Sequence, residues 1–350
     1  MAKDLEERDV PLPDGFHAPV AAAALLGGGA GGRLALVDAA RQLWLLDESG
    51  SASDRGWHVL RRIDLSSDLT VGKAVSVLAA ESYLAVVECR GVRGIVLDHE
   101  RPAWRLPLAR GDYHVKHCTF PLAFWPHPKG MRLIHGIDWN RLQITNLANG
   151  QALVGSGKGE SESDGDEEAE IDYFHSRLHI APDGGRFVSN GWCWSPWDNL
   201  VAFDSERFLL DRDEGGVCLN QLDVNGYNWD RPCCFVDERT IAFGYDAREA
   251  GEDEEQRGTE LIYQDVVTRA LGPRKPFPHF DKTKEHEVQG VLHYSEHADC
   301  FVVCGPETTA LIGAEGGVRG RWERPALAAG GSPGYVLFAE QGSVRLVLVR

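Results

Sequence analysis

Residues 176–190 read SRLHIA-PDGG-RFVSN, and this short run decides the fold. Polar and apolar side chains alternate on both sides of Pro182-Asp183-Gly184-Gly185, as half-buried strands require. The four central residues supply turn chemistry: proline presets one backbone angle, aspartate bonds its own loop, and glycine accepts left-handed geometry. After a second gap at residues 191–199, residues 200–204 (LVAFD) alternate again. The order is strand, tight turn, strand, loop, strand. One such unit cannot bury its own apolar face, so the fold depends on whether the unit recurs.

It does recur. Residues 20–26, 34–37, 43–46 and 57–63 form one set of strand candidates, and 74–78, 83–87, 94–97 and 103–106 form the next. Residues 122–125, 131–135, 142–145 and 151–154 follow, with Pro128-Lys129-Gly130, Asp138-Trp139-Asn140 and residues 146–150 (NLANG) as turns. The opening stretch is the fourth set. A fifth holds 234–236, 240–243 and 260–263, and a sixth 291–294, 300–304, 309–312 and 318–322. The last holds 325–328, 335–339 and 344–349. Counted from the second strand of each set, the period is about 35–60 residues, within the range of β-propeller blades. No segment keeps a helical period beyond a turn or two, which removes architectures that alternate strands with helices. The expected fold is therefore all-β: a seven-bladed β-propeller of four-stranded antiparallel blades in one domain, residues 1–350. The final set lacks one strand, and residues 9–12 are expected to supply it, so that no terminal blade is left with an open seam.

Two phrases carry a family resemblance. Leu178-His179-Ile180-Ala181-Pro182-Asp183-Gly184-Gly185-Arg186-Phe187-Val188 is similar to the S-P-D-G-x-x-L/I phrase that joins the first two strands of WD40-type blades, with Ala181 in the serine position. Residues 142–151 (LQITNLANGQ) resemble the third strand and outer turn of such a blade, with Asn146 where aspartate is usual. The Gly-His and Trp-Asp dipeptides that mark blade ends do not recur regularly. His175-Ser176-Arg177-Leu178 with Asn190-Gly191-Trp192 also resembles uncharacterised bacterial propeller proteins, a likeness that implies no activity. The WD40-type resemblance implies a scaffold that presents its blade-connecting loops to a protein or peptide.

Composition narrows the function classes. The chain has 350 residues, 43% hydrophobic, enough for a substantial core. The opening MAKDLEERDV lacks the basic and apolar regions of a signal peptide, and no apolar run approaches a membrane span, so the expected compartment is the cytoplasm. The eight scattered cysteines are then expected to be reduced, small buried hydrophobes. A formal charge of −17 argues against nucleic acid and against an anionic membrane surface. It is compatible with a basic protein partner and equally with plain solubility. Residues 157–170 (GKGESESDGDEEAE) and 247–258 are acidic and read as surface loops, the first of them disordered.

The most unusual composition lies between Asn190 and Asn199, where Trp192, Trp194 and Trp197 fall within six residues beside Asp198. Large rigid rings with one N–H donor are typical interface anchors. They also pack between blades or cover one end of a propeller, and both roles remain open here. Residues 223–231 (DVNGYNWDR) place Asp223, Tyr227, Trp229, Asp230 and Arg231 before a strand. Their order does not match a calcium loop, and a turn network is the simpler reading. The two segments fall in successive units and form the expected binding surface, where Asp198, Asp223 and Asp230 would favour a basic partner.

No metal or cofactor is expected. His114 and His117 beside Cys118, and His293 and His297 before Cys300 and Cys304, lack zinc-ligand spacing. The glycine-rich residues 27–32 precede a strand, unlike a dinucleotide fingerprint, and no G-x-S-x-G elbow is present. The leading expectation is a non-catalytic protein-interaction scaffold. The alternative is a propeller enzyme, a hydrolase or lyase working at the central channel.

Overall fold

The computed structural model describes residues 5–26, 32–49, 56–153, 173–194, 197–210, 217–219, 230–246, 258–282, 288–331 and 334–349. Among these residues the strands form seven four-stranded sheets. After β1 (Leu5–Pro11), the first sheet holds β2 (Val20–Leu26), β3 (Arg33–Asp38), β4 (Gln42–Ser49) and β5 (Gly56–Asp64). The second holds β6 (Val75–Ala80), β7 (Tyr83–Glu88), β8 (Arg93–Asp98) and β9 (Arg105–Ala109). The third holds β10 (Leu122–Trp125), β11 (Arg132–Asp138), β12 (Arg141–Asn146) and β13 (Gln151–Ala152).

The fourth sheet holds β14 (Tyr173–Ile180), β15 (Arg186–Cys193), β16 (Trp197–Asp204) and β17 (Val217–Cys218), with helix α1 (Ser205–Leu210) following β16. The fifth holds β18 (Cys233–Phe235), β19 (Thr240–Asp246), β20 (Thr259–Asp265) and β21 (Leu271–Pro276). A ribbon of β22 (Asp281–Lys282) and β23 (Val288–Gln289) leads to the sixth sheet, β24 (Val291–Ser295), β25 (Cys300–Cys304), β26 (Thr309–Gly313) and β27 (Val318–Trp322). The last three strands are β28 (Ala328–Gly331), β29 (Gly334–Glu340) and β30 (Ser343–Val349). β1 completes their sheet by pairing antiparallel with β30, from Leu5 opposite Val349 to Pro11 opposite Ser343. The strand missing from the last set thus comes from the N-terminal segment, as expected.

Contacts divide the chain into two compact units, Met1–Leu108 with Gly290–Arg350, and Ala109–Gln289. In the first, β3 shows how the core is built. Leu34 and Leu36 pack with Val10, Trp44, Leu337 and Leu346, while Ala35 and Val37 pack with Leu43, Leu84, Val86 and Ile95. Both faces of the strand are buried, so its run reads as nearly continuous apolar sequence. In the second unit β15 behaves alike: Phe187 packs with Trp125, Ile134 and Phe203, and Val188 with Phe235, Ile241 and Ile262. Each fully buried large side chain contributes about 1.5–3 kcal/mol.

Carboxylates at the ends of second strands hold the turns to the third strands. Asp38 accepts from the Gln42 amide at 2.8 Å and from Trp44 Nε1 at 3.1 Å. Glu88 accepts from the amides of Val92 at 3.2 Å and Thr70 at 2.9 Å. Asp138 accepts from the Trp139 amide at 2.8 Å. The hairpin turn that opened the sequence reading uses Gly184 at φ 73°, which side-chain-bearing residues rarely adopt.

Three expectations need correction. Residues 191–199 are mostly ladder, because Trp192 pairs with Asp198 and Cys193 with Trp197. Aromatic and β-branched residues favour the pleated surface, and the apparent gap shrinks to the connection after Cys193. The strand expected at 103–106 starts later, at Arg105, because Asp98 draws residues 100–101 into a turn by accepting from the amides of Glu100 and Arg101. β21 had no counterpart in the sequence reading. All six of its residues are exposed, so no apolar alternation marks it. Residues 157–170 and 247–257 lie outside the described residues.

Candidate functional site

The site is built at one end of the third and fourth sheets. The turns after β11 and β15 both join a second strand to a third, and residues 110–121 join a fourth strand to a first. In an up-and-down sheet these connections emerge at the same end. β14 opens with Tyr173 and Phe174, and its register with β15 shifts between Phe174 and Arg177. Opposite this irregularity stands Gly191, where a Cβ would lie 2.0 Å from the Phe174 carbonyl oxygen. The missing side chain lets the two strands approach closely, and Phe174 and Trp192 then stack at 3.8 Å between centroids, 2° from parallel.

Other rings gather on this pair. Trp139, in the turn after β11, lies 4.4 Å from Phe174, and Tyr113 lies 5.8 Å from it. Trp192 is 2% exposed, and its Nε1 donates to Cys118 Sγ at 3.2 Å. Between the third sheet's first strand and the strand before it, His114 takes a left-handed conformation with φ 49° and leads into a 3-10 turn over Val115–His117. Its ring stands nearly edge-on to Tyr113 at 4.5 Å and 86°, and to Trp194 at 5.1 Å and 73°. Tyr113 and Trp194 are each 51% exposed, on top of a buried aromatic base. Residues Asp112 to His117 line a depression of about 390 Å³ beside them. This arrangement has the character of a rigid apolar anchor with a polar rim.

A buried polar network fixes the same end from below. Asp230, at φ 61°, accepts from Ser176 Oγ at 2.5 Å and from Thr119 Oγ1 at 2.7 Å. Ser176 Oγ also accepts from the Thr119 amide at 2.7 Å. Arg110 donates to the carbonyls of Cys118 at 2.9 Å and Thr119 at 3.3 Å, and its guanidinium lies 4.9 Å from the centre of the Phe120 ring. Burial lowers the Arg110 pKa to about 10, against the opposing pull of Cys118 and Asp230. Arg231 is buried, donates to the Gly244 carbonyl at 3.2 Å, and has its own carbonyl bonded by Asn190 Nδ2 at 2.7 Å.

The structure therefore separates the residues singled out from sequence. Trp194 is at the surface, whereas Trp192, Asp230 and Arg231 are buried supports. Trp197 and Asp198 lie in β16, with side chains outside the described set, and Asp223, Tyr227 and Trp229 lie outside it altogether. Tyr113, Trp139 and Phe174 complete the aromatic surface and were not singled out. Phe174 looked like any core residue of an alternating strand. Tyr113 and Trp139 sit alone in their turns, and only the turns' shared position in the fold gives them meaning.

Burial suppresses the chemistry of His135, His175, Cys233 and Cys234. His175 bonds Ser189 Oγ at 3.0 Å and His135 bonds Thr145 Oγ1 at 3.1 Å. Burial lowers their pKa values to about 3 and about 4. It pushes the Cys233 thiol up to about 12 and Cys234 upward as well. Among the described residues no group of three or more His, Cys, Asp and Glu is placed to hold a metal ion. The histidines make stability pH-dependent. Both pKa values are depressed on folding, so the unfolded chain binds protons that the native one does not. Stability is full above about pH 6.5 and falls below it by about 1.4 kcal/mol per unit per histidine. From pH 6.5 to 5 the two should cost about 3 kcal/mol, and His135→Gln or His175→Gln should each flatten that slope by about half in urea unfolding.

Seven antiparallel sheets in chain order, the last shared by both ends of the sequence, have close counterparts among solved structures. The chain is similar to the WD40 domain of Neurospora crassa Pan2, with TM-score 0.58 and 8% identity, over 99% of this chain and 96% of that one. It is likewise similar to the β-propeller domain of Myceliophteria thermophila Cps50 (Swd1), with TM-score 0.59 and 10% identity, over 99% and 100%. The fold is a seven-bladed β-propeller of four-stranded antiparallel blades. No protein-family model matches the sequence, and no curated protein matches it. In this propeller the aromatic surface occupies one end of the third and fourth blades. No helix among the described residues is long and apolar enough to cross a membrane.

Proposed function

We propose that the protein is a non-catalytic interaction scaffold whose third and fourth blades grip a protein or peptide through Tyr113 and Trp194. The observation that carries this reading is the half-exposed pair of rings held on a buried Phe174–Trp192 stack. Burying two rigid aromatic faces gives affinity at small cost in side-chain entropy, and the stack beneath is already ordered. The neighbouring structures are both propeller domains, a fold that lends itself to presenting loops to partners. The charge of −17 steers a basic partner toward the chain as a whole. Next to Trp194 the rim is mixed, with Asp112 exposed alongside Lys116 and His117.

The test is affinity capture from cells of the native organism with the intact chain and with Trp194→Ala. Truncating an anchor of this kind costs about 2 kcal/mol, so recovery of the specific partner should fall by at least about tenfold. Because Trp194 is half-exposed, the thermal midpoint should change little. Undiminished capture by Trp194→Ala would refute the assignment.

A further inference from the structure

The outer strand of the first blade carries a different set of signals, independent of the aromatic surface. β5 ends its sheet and pairs only with β4 among the described residues. Among the described residues the outer strands of the other blades are shorter, carry proline, or are charged; the sixth blade's β27 has five residues, and its Arg319 and Arg321 are paired with Glu315 and Glu323. β13 and β17 are two residues long, β9 contains Pro107, and β21 contains Pro273, Lys275 and Pro276. β1 is charged at Glu6, Glu7, Arg8 and Asp9. Short length, proline and charge are the usual protections of a sheet edge. β5 has nine residues with no proline or lysine, exposes Val59 by 44% and Leu60 by 46%, and carries a single bulge at Leu60, where its register with β4 shifts.

Its charge is also out of keeping with the chain. The register with β4 puts Trp57, Val59 and Arg62 on the face of Trp44 and Leu46, and His58 and Arg61 on the other. Arg62 lies 4.9 Å over the Trp44 ring and donates to Gln42 Oε1 at 3.1 Å. Arg61 donates to the His99 carbonyl at 3.2 Å. Among the described residues both guanidinium groups bond neutral acceptors, and Arg62 also feels the charge of the Asp64 carboxylate at the end of the strand. A chain of net charge −17 thus presents a long, partly apolar edge with arginine on both faces.

We propose that β5 is a strand-addition site for an extended acidic segment of a partner protein. The incoming backbone continues the ladder, its apolar residues cover Val59 and Leu60, and its carboxylates meet Arg62 on one face and Arg61 on the other. A second copy of this chain fits less well, because pairing two β5 strands gathers the arginines of both copies on one short ladder.

The probe is a fluorescein-labelled peptide, Thr-Glu-Val-Glu-Val-Glu-Thr, titrated by anisotropy into the full chain, with its Lys-for-Glu counterpart as control. Binding of the acidic peptide is expected, together with slowed hydrogen exchange at amides 57–62. Arg61→Glu/Arg62→Glu should weaken it by at least about tenfold, as loss of two opposite-charge pairs implies. A backbone N-methylated acidic peptide keeps the charge but cannot donate to a ladder. It should not bind the unaltered protein, and this arm stands even if the double variant is unstable. The proposal is overturned if the acidic peptide does not bind, if the basic or N-methylated peptide binds equally well, or if protection falls outside β5. It is also overturned if β5 becomes protected with rising protein concentration alone, which would make a second copy its occupant.

Discussion

Gly191→Ala should destabilise the protein by about 3 kcal/mol or more, the upper range for forcing volume into a packed interior. The added methyl would stand 2.0 Å from the Phe174 carbonyl oxygen and 2.7 Å from the Tyr173 hydroxyl. One obstacle is backbone, which no rotamer change can move away. The other is a hydroxyl whose one hydrogen is shared between the carbonyls of Ser189 at 2.8 Å and Asn199 at 3.1 Å. Relief requires β14 and β15 to part where Phe174 and Trp192 stack. Stability and the aromatic surface should therefore fail together: urea unfolding should show the loss, and near-ultraviolet circular dichroism should show weaker tryptophan bands. A stable variant with unaltered aromatic bands would mean that the close strand approach is not what orders the stack.

Asp230→Ala should have an effect of similar size, about 3 kcal/mol, for a different reason. Two buried hydroxyls, Ser176 Oγ and Thr119 Oγ1, lose a charged acceptor. Arg110 loses a nearby negative charge that offsets its burial. Alanine must also hold φ 61°, which costs about 1 kcal/mol more. Asp230→Asn keeps one acceptor oxygen and tolerates the backbone angle, so it should recover part of the loss. Ser176→Ala combined with Asp230→Ala should cost less than the two single changes summed, because they break the same bond. Full additivity in denaturant unfolding would show that the hydroxyl and the carboxylate do not act as a unit.

These two residues show what the sequence made legible and what it did not. The fold was legible because each blade repeats the same local instructions. Pro182-Asp183-Gly184-Gly185 makes a hairpin wherever it stands, and Leu34 to Val37 buries both faces of a strand in any blade. Even the partner of β30 followed from counting strands. The site was legible only in part. Trp192 and Trp194 stand out by composition, yet their exposures differ widely because one faces the Phe174 stack and the other solvent. A two-residue spacing cannot announce that difference once the ladder continues past Gly191. Asp230 looked like a turn or a recognition charge. Its role comes from Ser176 and Thr119, which lie 54 and 111 residues away in sequence. Tyr113 and Trp139 meet Phe174 only because alternate connections of antiparallel sheets gather at one end. Distant convergence of this kind leaves no local pattern to read.

The most direct measurement places a photo-crosslinking benzoylphenylalanine at position 113, with a second probe at Val318 as an equally exposed control. In cells of the native organism, irradiation should join a specific partner to the probe at 113 and not to the one at 318. Adding Trp194→Ala should remove that product. If the partner recovered by affinity capture crosslinks at neither position, or equally at both, the aromatic end of the third and fourth blades is not where this propeller holds it.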